Sequence, residues 1–295
     1  MKKYLLEFMR EFSYPQEAQD ALLLAFEKTF AQAGYASRLE EIRAIYEENP
    51  SWDFSYPMEL AKKVAEETGV HVYTMHLLTL ILLSKTSRIH YERRNLSAFW
   101  RKNFVDLRYK LEECKLVKGV YGVFCPEWYF GFFEVSRYAI GKLQFECNPF
   151  RHVYEGGGVS LTEQSNVIYI HIPRTGEKLL PQDVDEACAK ASELFQTMYS
   201  MDAIVFVCSS WLLYPENKNL LSPTSNLYSF IDRFELIDSS DDFKYVDAWR
   251  LFDQDYTGDA DLLPQNTSLR RAYAQRMKKG EPLGRGYGVW VYKAK

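Results

Sequence analysis

The chain has 295 residues, 47% hydrophobic and 16% aromatic, which is enough apolar material for two packed domains. Its 36 Lys and Arg against 40 Asp and Glu leave a net charge of −4, the wrong sign for a general nucleic-acid binder. Five cysteines without a CxxC or metal spacing exclude a disulfide scaffold. With an N-terminal apolar run broken by Glu7, Arg10 and Glu11, they point to a cytoplasmic protein.

Residues 1–118 read as helices. Leu22, Leu23, Phe26 and Phe30 recur at helical spacing, Ser37–Glu48 is a charged helix, and Pro57 sits in the first turn of the next. Met75–Leu83 is the longest apolar run, too short to span a bilayer, and reads as a buried helix. Leu96–Leu116 reads as one amphipathic helix with Phe99, Trp100, Phe104, Leu107 and Leu111 on one face. The stretch 88–118 is basic, nine Lys/Arg against four Asp/Glu, which fits a solvated face better than a phosphate-binding patch.

From residue 119 the pattern changes to mixed α/β, which sets expected domains of 1–118 and 119–295. Pro126 is expected to open an aromatic helix, followed by a strand KLQFECNPF and a flexible loop at Gly156–Gly158. A buried strand (NVIYIHIP), a polar turn, a long helix from Pro181 and a second buried strand (DAIVFVCSS) have the order of a βαβ unit. Further on come a helix near 223–233, strands near 234–238 and 245–252, and an acidic loop. The chain ends with a helix 267–279 capped by Asn266 or Thr267 and a terminal strand, before which Gly284–Gly288 reads as a bend.

Several residues carry possible chemistry. The turn Pro173-Arg174-Thr175-Gly176-Glu177-Lys178 opens a helix and contains Arg, Lys and Gly, which suits a phosphate. It is neither a P-loop nor a GxGxxG fingerprint. On the strand before it, Tyr169 and His171 share the face opposite the isoleucines. His171 there is either a cleft-side acid/base group or a hydrogen-bonded sheet residue. Gln144 and Glu146 likewise share one face of their strand, and Glu146 is a possible base. Cys208 and Trp211 lie at a strand end where α/β proteins often meet ligands, and Cys208 would need a nearby base to act as a nucleophile. Asp253–Asp261 imitates a calcium loop, but Pro264 stands where the bidentate acid belongs, so no metal is expected.

These segments resemble a bacterial group of acyltransferase domain-containing proteins, with a helical N-acyltransferase N-terminal domain and a GNAT-like C-terminal domain. The resemblance rests on Ile140–Glu146, His171-Ile172-Pro173 with Lys178-Leu179, Trp211–Leu213 with Pro215, Ser225-Asn226, Leu263–Gln265 with Thr267–Leu269, and Gly284–Gly288. It implies an all-α domain followed by a mixed sheet flanked by helices. It also implies acyl-CoA (acetyl or longer) as co-substrate, no metal, and direct transfer to a small-molecule or peptide amine. By this likeness Ile172, Pro173, Arg174, Thr175, Gly176 and Lys178 would hold the cofactor. Glu146 or His171 would be the base, amides near 171–173 would polarise the thioester, and Tyr228 would protonate the thiolate. Gln144, Trp211 and Asn226 would contact substrate. The loop differs from the family's Q/R-x-x-G-x-G/A pattern, since Gly176 comes one position early and has no second glycine. The competing expectation is a non-catalytic scaffold with a degenerate GNAT fold.

Overall fold

The computed structural model describes residues 1–32 and 34–293. The chain divides into two compact units, Met1–Tyr138 and Ala139–Lys295, so residues 119–138 fall in the first.

The first unit contains α1 (Lys2–Glu11), α2 (Gln16–Phe30), α3 (Tyr35–Glu48), α4 (Ser55–Thr68), α5 (Val72–Arg93), α6 (Ser97–Phe104), α7 (Asp106–Lys118) and a short α8 (Phe130–Phe133). Leu77, Leu78, Leu80, Ile81 and Leu83 are all fully buried, so α5 is apolar on every side and must be central. Helices α1 to α4, α6 and α7 pack against it.

The single helix expected over 96–116 is broken at Val105. Asp106 starts α7 there, an acid in a first turn, and its carboxylate accepts the Tyr129 hydroxyl at 2.9 Å. The expected aromatic helix after Pro126 is also replaced, by a 3-10 turn (Pro126–Tyr129), α8, and a chain reversal at Val135 with φ +58°. Side chains capture the carbonyls that would have extended the helix. Tyr46 donates to Phe133 O at 2.7 Å, Tyr91 to Phe132 O at 2.8 Å, and Arg94 to Glu134 O and Val135 O at 3.0 Å.

Many of the cations in 88–118 have internal partners. Arg88 lies 3.9 Å from the Trp100 ring, and Arg101 pairs with Glu11 at 3.3 Å. Arg108 pairs with Glu112 at 2.9 Å and Lys110 with Glu113 at 2.7 Å. The last pair is nearly sealed, with side chains 10% and 4% exposed. Glu113→Gln is expected to lower unfolding free energy by about 3 kcal/mol, because it strips a buried ammonium of its nearest counterion. Urea denaturation checks this.

The second unit is built on a six-stranded sheet of order β1-β2-β5-β6-β8-β7. Its strands are β1 (Arg137–Ile140), β2 (Leu143–Pro149), β5 (Asn166–His171), β6 (Val205–Ser210), β7 (Glu235–Asp242) and β8 (Leu283–Val291). Strands β3 (Tyr154–Gly156) and β4 (Val159–Leu161) form a hairpin where a flexible loop was expected. Tyr154 and Leu161 stay in place because they pack on Val167, Tyr169 and Tyr287 of the large sheet.

Helix α9 (Pro181–Tyr199) joins β5 to β6, which run parallel, so the βαβ unit is present as expected. A 3-10 turn (Trp211–Leu213) follows β6 and leads to α10 (Asn217–Leu220) and α11 (Asn226–Ile231), a shorter helix than the expected 223–233. Residues 245–252 turn into α12 (Ala248–Phe252) and not the expected strand. The Asp242 carboxylate accepts the amides of Lys244, Tyr245 and Val246 at 2.8, 3.0 and 2.7 Å, which ends β7 in a turn. Thr267 caps α13 (Ser268–Lys278) through the Arg270 amide at 3.2 Å. The glycines at 284–288 lie inside β8, not before it. Gly286 and Gly288 clear one face of that strand so that the Trp211–Leu213 turn and Phe234 can lie directly on it.

Candidate active site

Strands β2 and β5 are antiparallel neighbours, with Gln144 opposite His171 and Glu146 opposite Tyr169. Side chains alternate along a strand, so Gln144, Glu146, Tyr169 and His171 share one face of the sheet. The result is a direct contact: His171 Nε2 lies 2.8 Å from Glu146 Oε1. Both side chains are mostly enclosed, His171 20% and Glu146 13% exposed. An ionised carboxylate only accepts, so in this contact Nε2 is the donor to Glu146. Farther along the same face, the Tyr169 and Tyr287 hydroxyls meet at 2.8 Å, linking β5 to β8. Gln144 is buried between the strands, 1% exposed.

The pairing of β5 with β6 joins Ile168 to Phe206 and Tyr169 to Val207 only. Beyond those residues the strands run on to His171 and Ser210 without pairing to each other. A gap edged by main-chain amides and carbonyls therefore opens at the carboxyl ends of two parallel strands, next to the Glu146–His171 contact. That is a recurrent binding position in α/β sheets.

Residues 172–180 lead from this gap to α9. Ile172 carries an amide hydrogen and Pro173 does not, and successive strand amides point to opposite edges, so one of His171 and Ile172 supplies the amide on the β6 side. Arg174 pairs with Asp253 Oδ1 at 2.6 Å. Asp253 is held in turn by Arg270 Nη2 at 2.5 Å, and Arg270 is fixed by Leu251 O and Asn266 Oδ1 at 2.8 and 2.9 Å. Thr175 Oγ1 accepts the Glu177 amide at 3.2 Å, and Gly176 takes φ +79° in open space. The Lys178 carbonyl accepts from Lys142 Nζ at 3.0 Å, and that ammonium also meets Glu177 and Asp183 at 3.1 and 3.0 Å. Lys142 and the Leu180 amide together hold the Asp183 carboxyl below its usual range. Asp183 thus occupies one of the amides at the start of α9.

Tyr228 and Asn226 lie on α11, which packs on α9 and on the Trp211–Leu213 turn. The Lys218 ammonium sits 5.9 Å from the Tyr228 ring. Trp211 lines a cavity of about 210 Å³, with Tyr245, Leu251, Tyr273, Leu283 and Arg285 among its other walls. Cys208 is sealed in β6, and burial pushes its thiol up to about 12, so it holds no thiolate at neutral pH. Among the described residues no group of His, Cys, Asp and Glu is arranged to hold a metal ion. No described helix is long and apolar enough to cross a membrane.

The structure thus joins Glu146 to His171, gathers 172–178 beside them, and sets Tyr228, Asn226 and Trp211 on the elements after β6. Lys142, Asp253 and Arg270 hold the loop in place and were not anticipated. The one signal for Asp253 was its acidic stretch, which suggested a turn and no partner.

Residues 138–290 match the family model of the GNAT-like C-terminal domain, and residues 3–135 that of the N-acyltransferase N-terminal domain. No curated protein matches the chain. Among solved structures, the fold is shared with an acyltransferase in complex with decanoyl-CoA and teicoplanin. That chain is 20% identical, with 97% of this chain and 87% of that one covered and a TM-score of 0.74. An acyltransferase variant in complex with octanoyl-CoA is 17% identical, covering 99% and 88%, with a TM-score of 0.73. The chain belongs to the family that joins an N-acyltransferase N-terminal domain to a GNAT-like C-terminal domain.

Proposed function

We propose that the protein transfers an acyl group from acyl-CoA to an amine of a small-molecule or peptide acceptor. The observation that carries this reading is the parting of β5 and β6 beside the Glu146–His171 contact, in a chain of this family. An extended amide chain such as the pantetheine arm hydrogen-bonds to a strand edge as a further strand would. Solved structures that share the fold hold decanoyl-CoA and octanoyl-CoA, which supports the co-substrate, and those that hold teicoplanin support an acceptor of that general kind.

In the proposed step the acceptor nitrogen attacks the thioester carbonyl carbon while His171 Nδ1 takes the amine proton. Glu146 stabilises the imidazolium through Nε2. The main-chain amide of 171 or 172 that faces the β6 side is the proposed donor to the oxyanion. The carbon–sulfur bond then breaks, and Tyr228 is the proposed donor of a proton to the leaving thiolate. Arg174, braced by Asp253, is the proposed contact for the CoA phosphates.

Calorimetric titration with CoA and acetyl-CoA tests the reading. Binding is expected in the micromolar range. Arg174→Ala is expected to weaken it roughly tenfold, the loss of one charge-assisted hydrogen bond. No heat at high micromolar ligand would favour the scaffold reading, whose support is the missing second glycine and an Arg174 already paired with Asp253.

A further inference from the structure

The first amides of a long helix lack partners within it, which makes a helix start the usual seat for a phosphate. At α9 that seat is already taken by the protein's own anion. The Asp183 carboxylate accepts the Leu180 amide at 3.1 Å, and Pro181 has no amide hydrogen to offer. In the loop before them, the Thr175 amide donates to Pro173 O at 3.1 Å and the Glu177 amide to Thr175 Oγ1 at 3.2 Å. The Glu177 and Asp183 carboxylates share Lys142 as their counterion, at 3.1 and 3.0 Å. Two carboxylates to one ammonium leave an excess of negative charge where an entering phosphate would have to sit.

The balance is reversed at the other end of the same loop. Asp253 gives one oxygen to Arg174 at 2.6 Å and the other to Arg270 at 2.5 Å, so two guanidiniums share one carboxylate. The two cations differ in what they have left to offer. Arg270 has all three nitrogens engaged, Nε on Leu251 O at 2.8 Å, Nη1 on Asn266 Oδ1 at 2.9 Å and Nη2 on Asp253, and its side chain is 15% exposed. Arg174 meets Asp253 through Nη1 and is 37% exposed, and its Nε and Nη2 have no hydrogen-bond partner among the described residues. A guanidinium pinned at one corner, with the rest of its fork open to solvent, suits a phosphate oxygen. Were Asp253 paired with Arg174 alone, its charge would cancel the one a phosphate seeks. Arg270 removes that cancellation without itself facing the ligand.

We infer that this chain takes the CoA phosphates on the Arg174 side chain and not on the start of α9, and that Arg270 is the positioning residue that keeps Arg174 charged toward the ligand by sharing Asp253. The inference rests on the acyl-CoA reading above, and one set of calorimetric titrations with CoA separates the two. Arg270→Gln leaves Asp253 to Arg174 alone and is expected to weaken CoA binding roughly tenfold. Arg270→Lys keeps a cation on Asp253 and should recover most of that loss. Because Arg270 acts through Arg174, the double variant Arg174→Ala with Arg270→Gln should bind no more weakly than Arg174→Ala, whereas a general loosening of the loop would make the two losses multiply. Asp183→Asn clears the carboxylate from the α9 start and should change the affinity less than about fivefold. Arg270→Gln binding CoA within about threefold of wild type overturns the inference. So does a loss as large in Arg270→Lys, losses that multiply in the double variant, or a larger gain in Asp183→Asn. In each of those cases CoA binding by the wild type leaves the acyl-CoA reading standing. If the wild type gives no heat with CoA at high micromolar concentration, that reading falls and the role of Arg270 falls with it.

Discussion

Replacing His171 by alanine is expected to lower kcat for acyl transfer by roughly 10²- to 10⁴-fold, the usual worth of a positioned general base. The expectation follows from geometry. His171 ends β5 where the strand parts from β6, and its Nε2 is held by Glu146 at 2.8 Å. Glu146→Gln keeps the shape but replaces a carboxylate with an amide that stabilises an imidazolium poorly, so a loss of about 10² is expected. Because neither change touches the proposed phosphate contacts, the loss should appear in kcat with KM for acyl-CoA nearly unchanged. Steady-state kinetics with the same acceptor checks this, alongside a melting curve to verify the fold. A His171→Ala protein within threefold of wild-type kcat would remove the pair from the reaction.

A large structural effect is expected from Gly286→Ala. A Cβ there would overlap the Leu213 carbonyl and the Leu236 side chain, and the carbonyl is backbone that cannot rotate away. The strand and the Trp211–Leu213 turn would have to separate, which costs about 3 kcal/mol as overpacking. For a unit of this size that is a fall in Tm of roughly 6–12 °C. Gly176→Ala is the contrasting case. Its Cβ would meet nothing within 4 Å, and only its left-handed backbone is penalised, at about 1 kcal/mol. Equal melting temperatures for the two variants would refute the argument from close approach.

Much of the fold was legible because its patterns are local. Alternation in 167–172, a run of helical length from Pro181 and a second apolar strand are sufficient for a βαβ unit, and the unit is there. Readings failed where side chains from elsewhere decide the backbone. The tyrosines at 46 and 91 take the carbonyls of Phe133 and Phe132, which cuts short a helix the local sequence favours. Asp242 likewise ends β7 in a turn and sets residues 245–252 on a helical path.

The same division runs through the candidate site. Strand parity, a property of the sequence alone, put Glu146 with Gln144 and His171 with Tyr169 on the polar faces of their strands. Family likeness then marked 172–178 as the cofactor loop. Neither says which strands are neighbours. Only the antiparallel register of β2 on β5 brings two side chains 25 residues apart to 2.8 Å. Only the return of the chain through α12 and α13 delivers Asp253 and Arg270 to Arg174. Periodicity is fixed by bonds along the chain and can be read from it. Adjacency depends on which distant surfaces bury each other, and that is decided when the sheet assembles.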